Sequence, residues 1–267
     1  MKKYLSLIRF SHSIFALPFA LIGFFLGETD PKGAHAFSWL SFILMLACMV
    51  FARSAAMAFN RYLDRDIDAK NPRNQNREIP KGLVSPSQAL FYTLINCVGF
   101  ILCTAFINHI CLYLSPVALF VVLGYSFTKR FTSLCHFVLG LGLSLAPIGA
   151  YLVVTGHFDW IPVLFSLAVL TWVSGFDILY ALPDEEFDKM ENLHSVPAFM
   201  GKPRAIILTR ILHTLSAIFI ILAGILGHFQ ILYWTGTLIY IGLLIYQNLI
   251  VKPGDLSRLN LAFFTLN

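Results

Sequence analysis

Asn60, Asp64 and Asp68 recur at every fourth position directly after an apolar run, inside NRYLDRDIDAKNPRNQNREIPKG (60–82). On a helix this spacing stacks three oxygen-bearing side chains along one stripe, each about 6 Å of rise beyond the last. Cations follow at once: Lys70, Arg73, Arg77 and Lys81. Carboxylates on one face with cations beside them suit a divalent metal ion and a phosphorylated ligand. Mg²⁺ in particular takes oxygen ligands, commonly one or two carboxylates plus phosphate oxygens. A second cluster, GFDILYALPDEEFDKMENLHSVP, sets Asp177, Tyr180, Asp184 and Asp188 at offsets of 0, 3, 7 and 11, again a single helical face. Asp64 and Asp68 with Asp184 and Asp188 make two carboxylate pairs, enough to flank a diphosphate with one metal on each side. Arg73, Arg77, Lys129 and Arg130 are the cations for the remaining phosphate charge, arginine by two-pronged hydrogen bonding.

The elements that must carry these residues are membrane spans. Of 267 residues, 58% are hydrophobic and 12% charged, where a soluble domain has about 25% charged. Apolar runs of span length recur at 13–27, 38–60, 90–108, 111–127, 134–155, 161–182, 205–226 and 231–251, and they lack the short alternation of a membrane barrel. The expectation is an all-α, polytopic transmembrane helix bundle with eight full spans. The last stretch, LSRLNLAFFTLN, begins another apolar segment too short to span, so a ninth helix is truncated or missing from this sequence. The N-terminus imitates a signal peptide, but without a convincing cleavage site it reads as the first span. Five cysteines form no CxxC pair and sit in apolar runs, which reads as buried thiols.

Charge then sets the topology. Of the 19 basic residues only Lys32 falls in a loop on the side opposite the polar loops. The N-terminus and the loops after the second, fourth, sixth and eighth spans are therefore expected in the cytoplasm. The net charge of +5 is a matter of these loops, with no basic patch to suggest nucleic acid. Ten of the 14 acidic residues lie in the two clusters, and both Asp64–Asp184 and Asp68–Asp188 are 120 residues apart. Four spans restore the same orientation, so the chain is expected to be one domain, 1–267, built of two parallel four-helix repeats at about 1–130 and 131–251.

A bland account exists for each feature. A lone DxxxD at a membrane interface is a solvated loop charge, and an aspartate at the centre of a span costs roughly 2.5–3.5 kcal/mol. Two such motifs at matched ends, both flanked by cations, point to function. Arg53, one to two turns inside the second span on the side of Asn60, either binds substrate or neutralises a carboxylate. His136, His194 and His213 have no ligand spacing among themselves, and none is assigned to metal.

NxxxDxxxD followed by NPRxxxREIPKG, paired with DxxYxxxDxxxD, resembles the UbiA superfamily of intramembrane prenyltransferases. RFSHSIFALPFAL, YSFTKRFT and HFVLGLGLSLAPIGAYLVVTG add to the likeness, which covers nearly the whole chain and is greatest to bacterial 4-hydroxybenzoate polyprenyltransferases and related quinone-pathway enzymes. The resemblance implies a nine-helix bundle around a central cavity that opens sideways to lipid. It implies a Mg²⁺-dependent enzyme of the bacterial inner membrane that joins a polyprenyl diphosphate to an aromatic acid, with no protein partner expected. Asn60, Asp64 and Asp68 would serve one metal, and Asp184 and Asp188 the other. Arg73, Arg77, Lys129 and Arg130 would hold the diphosphate, while Asp177 and Tyr180 line the cavity. Arg53, Ser11 and His12 are the candidates for an acceptor carboxylate. Three departures stand out: Arg61 replaces the aspartate that usually follows Asn60, Asn192 replaces a glycine after the second motif, and the ninth helix is absent or truncated.

A divalent-cation transporter would also use paired intramembrane carboxylates and an internal repeat. Against it, the acids cluster at the cytoplasmic ends of the spans, with no acidic path through the other halves. A CDP-alcohol phosphotransferase would need a DGxxAR…GxxxDxxxD arrangement that this sequence lacks. A prenyltransferase for another acceptor, such as a naphthoate or haem, stays open, as does a non-catalytic relative.

Overall fold

A computed structural model of the chain describes Leu7 and residues 17–31, 37–252 and 258–259. Ser11, His12, the start of the first expected span and nearly all of 256–267 lie outside the described residues. In chain order the elements are α1 (Leu17–Glu28), α2 (Trp39–Lys70), α3 (Pro86–Ala105), α4 (His109–Thr128), α5 (Cys135–Thr155) and α6 (Trp160–Ala181). A 3₁₀ turn (Leu182–Asp184) leads to α7 (Glu185–Met190), α8 (Val196–Met200), α9 (Lys202–Leu226) and α10 (Ile231–Ile250). There is no strand among the described residues.

Capping chemistry sets several of the starts. Ser38 caps α2 by accepting from Ser41 N at 3.2 Å. Ser85 and Gln88 form a reciprocal capping box ahead of α3, with Pro86 in the first turn, where its missing N–H costs nothing. Six helices are long and apolar enough to cross a membrane: Trp39–Lys70, Pro86–Ala105, His109–Thr128, Cys135–Thr155, Trp160–Met190 and Lys202–Leu226. Their outward residues are hydrocarbon, as at Phe91, Val98, Phe120 and Ile207, which is sound only against lipid tails. Trp39 and Trp160 open α2 and α6, the placement of an interfacial aromatic belt. The chain is an integral membrane protein of helices. α10 has span length, but Gln247, Asn248 and four aromatic residues dilute its hydropathy.

The chain divides into two compact units, Met1–Phe127 with Leu145–Pro162, and Thr128–Ser144 with Val163–Asn267. In the first unit, Ala20, Phe24, Met45 and Ala150 form a core from α1, α2 and α5. Ile79 and Val84 pack with Ala58 and Ala89, which folds the 71–85 loop back onto α2 and α3. In the second unit α6 is held by close approach of helices. A Cβ on Gly140 would lie 2.4 Å from Ser174 Oγ and 2.6 Å from Leu170 O, and one on Gly175 would lie 2.5 Å from His213 Nε2. Small residues at such crossings let backbones approach where no hydrophobic force drives association. Thr209 Oγ1 and Ser216 Oγ on α9 donate across to the α6 carbonyls of Gly175 (3.2 Å) and Ala168 (2.7 Å). Ile178, Leu179 and Leu182 bury against Val196, Ala205 and Ile206. That packing fixes the rotation of α6 where its motif begins.

Candidate active site

The first motif is built by one helix. The 32 residues of α2 rise about 48 Å, well beyond roughly 30 Å of hydrocarbon. The helix therefore carries Asn60, Asp64 and Asp68 past its apolar part without a break. Both carboxylates are buried, Asp64 to 2% and Asp68 to 1% exposure. Burial at that level requires partners. Asn60 Nδ2 donates to Asp64 Oδ2 at 3.0 Å. Arg77 Nη1 reaches both oxygens of Asp68, at 2.6 and 2.7 Å.

The loop brings Arg77 there by a sequence of tight turns. Asn71 ends α2, and its Oδ1 accepts from Arg73 N at 2.9 Å. Further turns run Arg77 N to Asn74 O and Lys81 N to Arg77 O. Arg73 is exposed, whereas Arg77 is folded back over the motif. Arg61, the charge reversal within the motif, turns off the stripe and pairs with Glu78 at 3.9 Å, both side chains largely buried. The loop glutamate neutralises the cation that replaces the usual aspartate, and the Asp64–Asp68 stripe is left intact.

Deeper along the same stripe lies Arg53, seven residues or about 10 Å below Asn60. It has no carboxylate partner among the described residues, and its electrostatic neighbour is Tyr125 of α4. Tyr125 is within electrostatic reach of Arg53, Asp64 and Arg61 alike, so it joins the deep and shallow ends of this polar stripe. Sequence reasoning missed Tyr125. Its signal was the YSFTK run, where it precedes Lys129 by four residues, one turn of a helix.

The second motif is built differently. The expected single face from Asp177 to Asp188 is interrupted: α6 stops at Ala181, and Leu182–Asp184 form a 3₁₀ turn before α7. Pro183 accounts for the break, since it has no N–H to donate back to the helix. With Ile178, Leu179 and Leu182 buried on one side, Asp177, Tyr180 and Asp184 fall on the opposite, accessible side. Asp188 on α7 lies within electrostatic reach of the Ser195 hydroxyl, Asp184 and Lys129. The Ser195 oxygen also caps α8, accepting from Ala198 N at 3.3 Å. Glu185 is tied to Lys189 at 2.6 Å and lies 4.0 Å from Lys202. Asn192 takes φ of 52°, a left-handed conformation that asparagine tolerates best after glycine, which is why it can stand where a glycine is usual.

No three His, Cys, Asp or Glu side chains converge as a ready metal cage among the described residues. The donor set nevertheless fits a hard cation. It consists of oxygen ligands in carboxylate pairs, and Mg²⁺ characteristically completes its octahedron with phosphate oxygens and waters.

Fold and site together define a polytopic helical membrane protein whose polar chemistry is two carboxylate motifs with cations at hand, the aspartates of the first buried and those of the second partly exposed. The chain belongs to the UbiA prenyltransferase family, whose profile matches residues 16–267. It is thus a prenyltransferase, a transferase of alkyl groups larger than methyl. It is 30% identical over 232 residues to a 4-hydroxybenzoate octaprenyltransferase of Aliivibrio fischeri, covering 86% of this chain and 79% of that one. Among solved structures it is similar to the apo form of a UbiA homologue from Aeropyrum pernix, with 29% identity, a TM-score of 0.87, and 96% and 93% of the two chains covered. A UbiA homologue from Archaeoglobus fulgidus, solved with GPP and Mg²⁺, shares the fold at 22% identity and a TM-score of 0.76, over 99% and 94% of the chains.

Proposed function

We propose that the protein transfers a polyprenyl group from an isoprenoid diphosphate to an aromatic acid of the 4-hydroxybenzoate type, with Mg²⁺, in the making of a respiratory quinone. The observation that carries this reading is the Asn60–Asp64–Asp68 stripe, both its aspartates buried, with Arg77 folded onto it and Arg53 set deeper on the same line. A stripe with carboxylates at its shallow end and an arginine about 10 Å down suits a diphosphate above and an acid group below. The name of the Aliivibrio relative and the GPP and Mg²⁺ of the Archaeoglobus structure support the same substrates.

In this reading Asn60, Asp64 and Asp68 hold one Mg²⁺, and Asp184 and Asp188 a second. Bound there, the metals supply Lewis-acid stabilisation to the departing diphosphate. Arg73, Arg77, Lys129 and Arg130 take the remaining phosphate charge, Arg77 by turning from Asp68 towards the ligand. Arg53 binds the carboxylate of the acceptor, with Ser11 and His12 as its companions at the mouth of the first span. Asp177 and Tyr180 line the region where the ring meets the allylic carbon. The hydrocarbon walls exclude the water that would otherwise capture an allylic cation.

The proposed topology has eight spans, counting α1 and α10, in two four-helix repeats related by the 120-residue offset of the motifs. The N-terminus and the motif loops face the cytoplasm of a bacterial inner membrane in this reading, which the excess of Lys and Arg in those loops supports.

The test uses membranes carrying the full chain, Mg²⁺, a labelled polyprenyl diphosphate and a panel of aromatic acids. Prenylated product from one hydroxybenzoate, lost with EDTA and in Asp64→Ala and Asp184→Ala, is the expected result. No product from any acid, or product that survives both substitutions, contradicts the reading.

A further inference from the structure

His136 lies 41 residues from Asp177, is the second residue of α5, and opens the HFVLGLGLSLAPIGAYLVVTG run without a ligand spacing to single it out. Its ring is almost wholly enclosed, with 5% of the side chain exposed. Both nitrogens are engaged. Nδ1 stands 2.7 Å from Asp177 Oδ2, and Nε2 accepts the backbone N–H of Val196 at 3.2 Å. The amide has only a proton to offer, so Nε2 must present its lone pair, and the ring proton must sit on Nδ1, pointing at the carboxylate. An imidazolium would set two N–H groups against each other at Nε2.

The bonds around it show what the ring joins. His194 N donates to Lys129 O at 2.7 Å, and the Cys135 thiol donates to His194 O at 3.3 Å. Residues 194–196, just after the second motif, are thus stitched by three bonds to the segment that runs from Lys129 to the second residue of α5. His136 is the one stitch that continues to Asp177 on α6. Asp177 keeps its other oxygen, Oδ1, without a hydrogen bond among the described residues, and 24% of its side chain is exposed.

We infer that His136 is a positioning residue: a neutral imidazole, locked in the Nδ1–H tautomer by the Val196 amide, that clamps one oxygen of Asp177 and turns the other towards the acceptor side of the site. The clamp also ties Asp177 to the 194–196 segment, so the setting of the α6 aspartate and that of the segment following Asp188 are held by one ring. The inference rests on the proposed reading of Asp177 as a residue of the prenyl-transfer site.

The experiment uses the full chain, labelled with ¹⁵N-histidine and purified in lipid nanodiscs, with the His136 signals identified by their loss in His136→Gln. Near neutral pH, Nδ1 should be protonated and Nε2 bare. An Nε2–H tautomer or an imidazolium overturns the clamp. Kinetics on the same preparations add the second arm. His136→Ala should lower kcat roughly 10- to 100-fold, the usual cost of losing a group that orients a site residue, with little change in KM for the diphosphate. His136→Gln should recover most of kcat, because its amide can donate to Asp177 and its carbonyl can accept from Val196. Its pH profile should overlay that of the wild type. A Gln variant as slow as the Ala variant, or an Ala variant as fast as the wild type per folded molecule, overturns the inference. If the wild type prenylates no acid, the proposed reaction fails, and the nitrogen spectrum alone decides the clamp.

Discussion

The first motif keeps its stripe although a cation has entered it, because Glu78 receives Arg61 and Arg77 receives Asp68. These are two distinct pairs, and they predict distinct behaviour. Arg61→Asp, which restores the aspartate usual after Asn60, would set a carboxylate beside buried Glu78 with no cation between them. We expect it to cost about 3 kcal/mol, as breaking a buried pair does, read as a lower thermal midpoint in detergent. Combining it with Glu78→Arg should recover most of that loss. If Arg61→Asp is neutral by itself, the pair is no more than a contact. The stripe was legible in the sequence because its period is local. The answer to Arg61 was not, since the loop turns that bring Glu78 back to α2 leave no periodic trace. The same holds for His136, whose partner is 41 residues away.

Among the helices, the two motifs are carried by unlike supports: an unbroken 32-residue helix, and a helix stopped by Pro183 and restarted as α7. The turn after α7 then depends on Asn192 at φ 52°. Asn192→Gly should leave the thermal midpoint unchanged or raise it, whereas Asn192→Val should cost about 1–2 kcal/mol, the penalty of a left-handed residue with a full side chain. Equal tolerance of both would mean that the turn relaxes out of that conformation. Helix positions followed hydropathy closely, as in 134–155 against Cys135–Thr155 and 161–182 against Trp160–Ala181. The exception is α2, expected at 38–60 but continuing to Lys70. Hydropathy ends at Asn60, while the i, i+4 stripe keeps the helix going. A single face from Asp177 to Asp188 failed at Pro183, where its own residue type had announced the break.

Across the full chain, composition was enough for a helical membrane protein, since lipid admits few other solutions for a chain this apolar. The long apolar runs were legible for that reason, and six helices meet the requirements of a span. Pairing across the sequence was not legible in detail, because it depends on small residues such as Gly140 and Gly175 and on hydroxyls such as Thr209 and Ser216. These say that helices approach closely without saying which ones. If each aspartate motif supplies one metal position for a prenyl diphosphate, the ions can be counted. Electron paramagnetic resonance would count Mn²⁺ on the purified full chain with a non-hydrolysable prenyl diphosphate analogue. Two ions per chain are expected in the wild type, and one in each of the double variants Asp64→Ala/Asp68→Ala and Asp184→Ala/Asp188→Ala. A wild-type chain that binds none, or a count that neither double variant changes, would rule out the two-metal site.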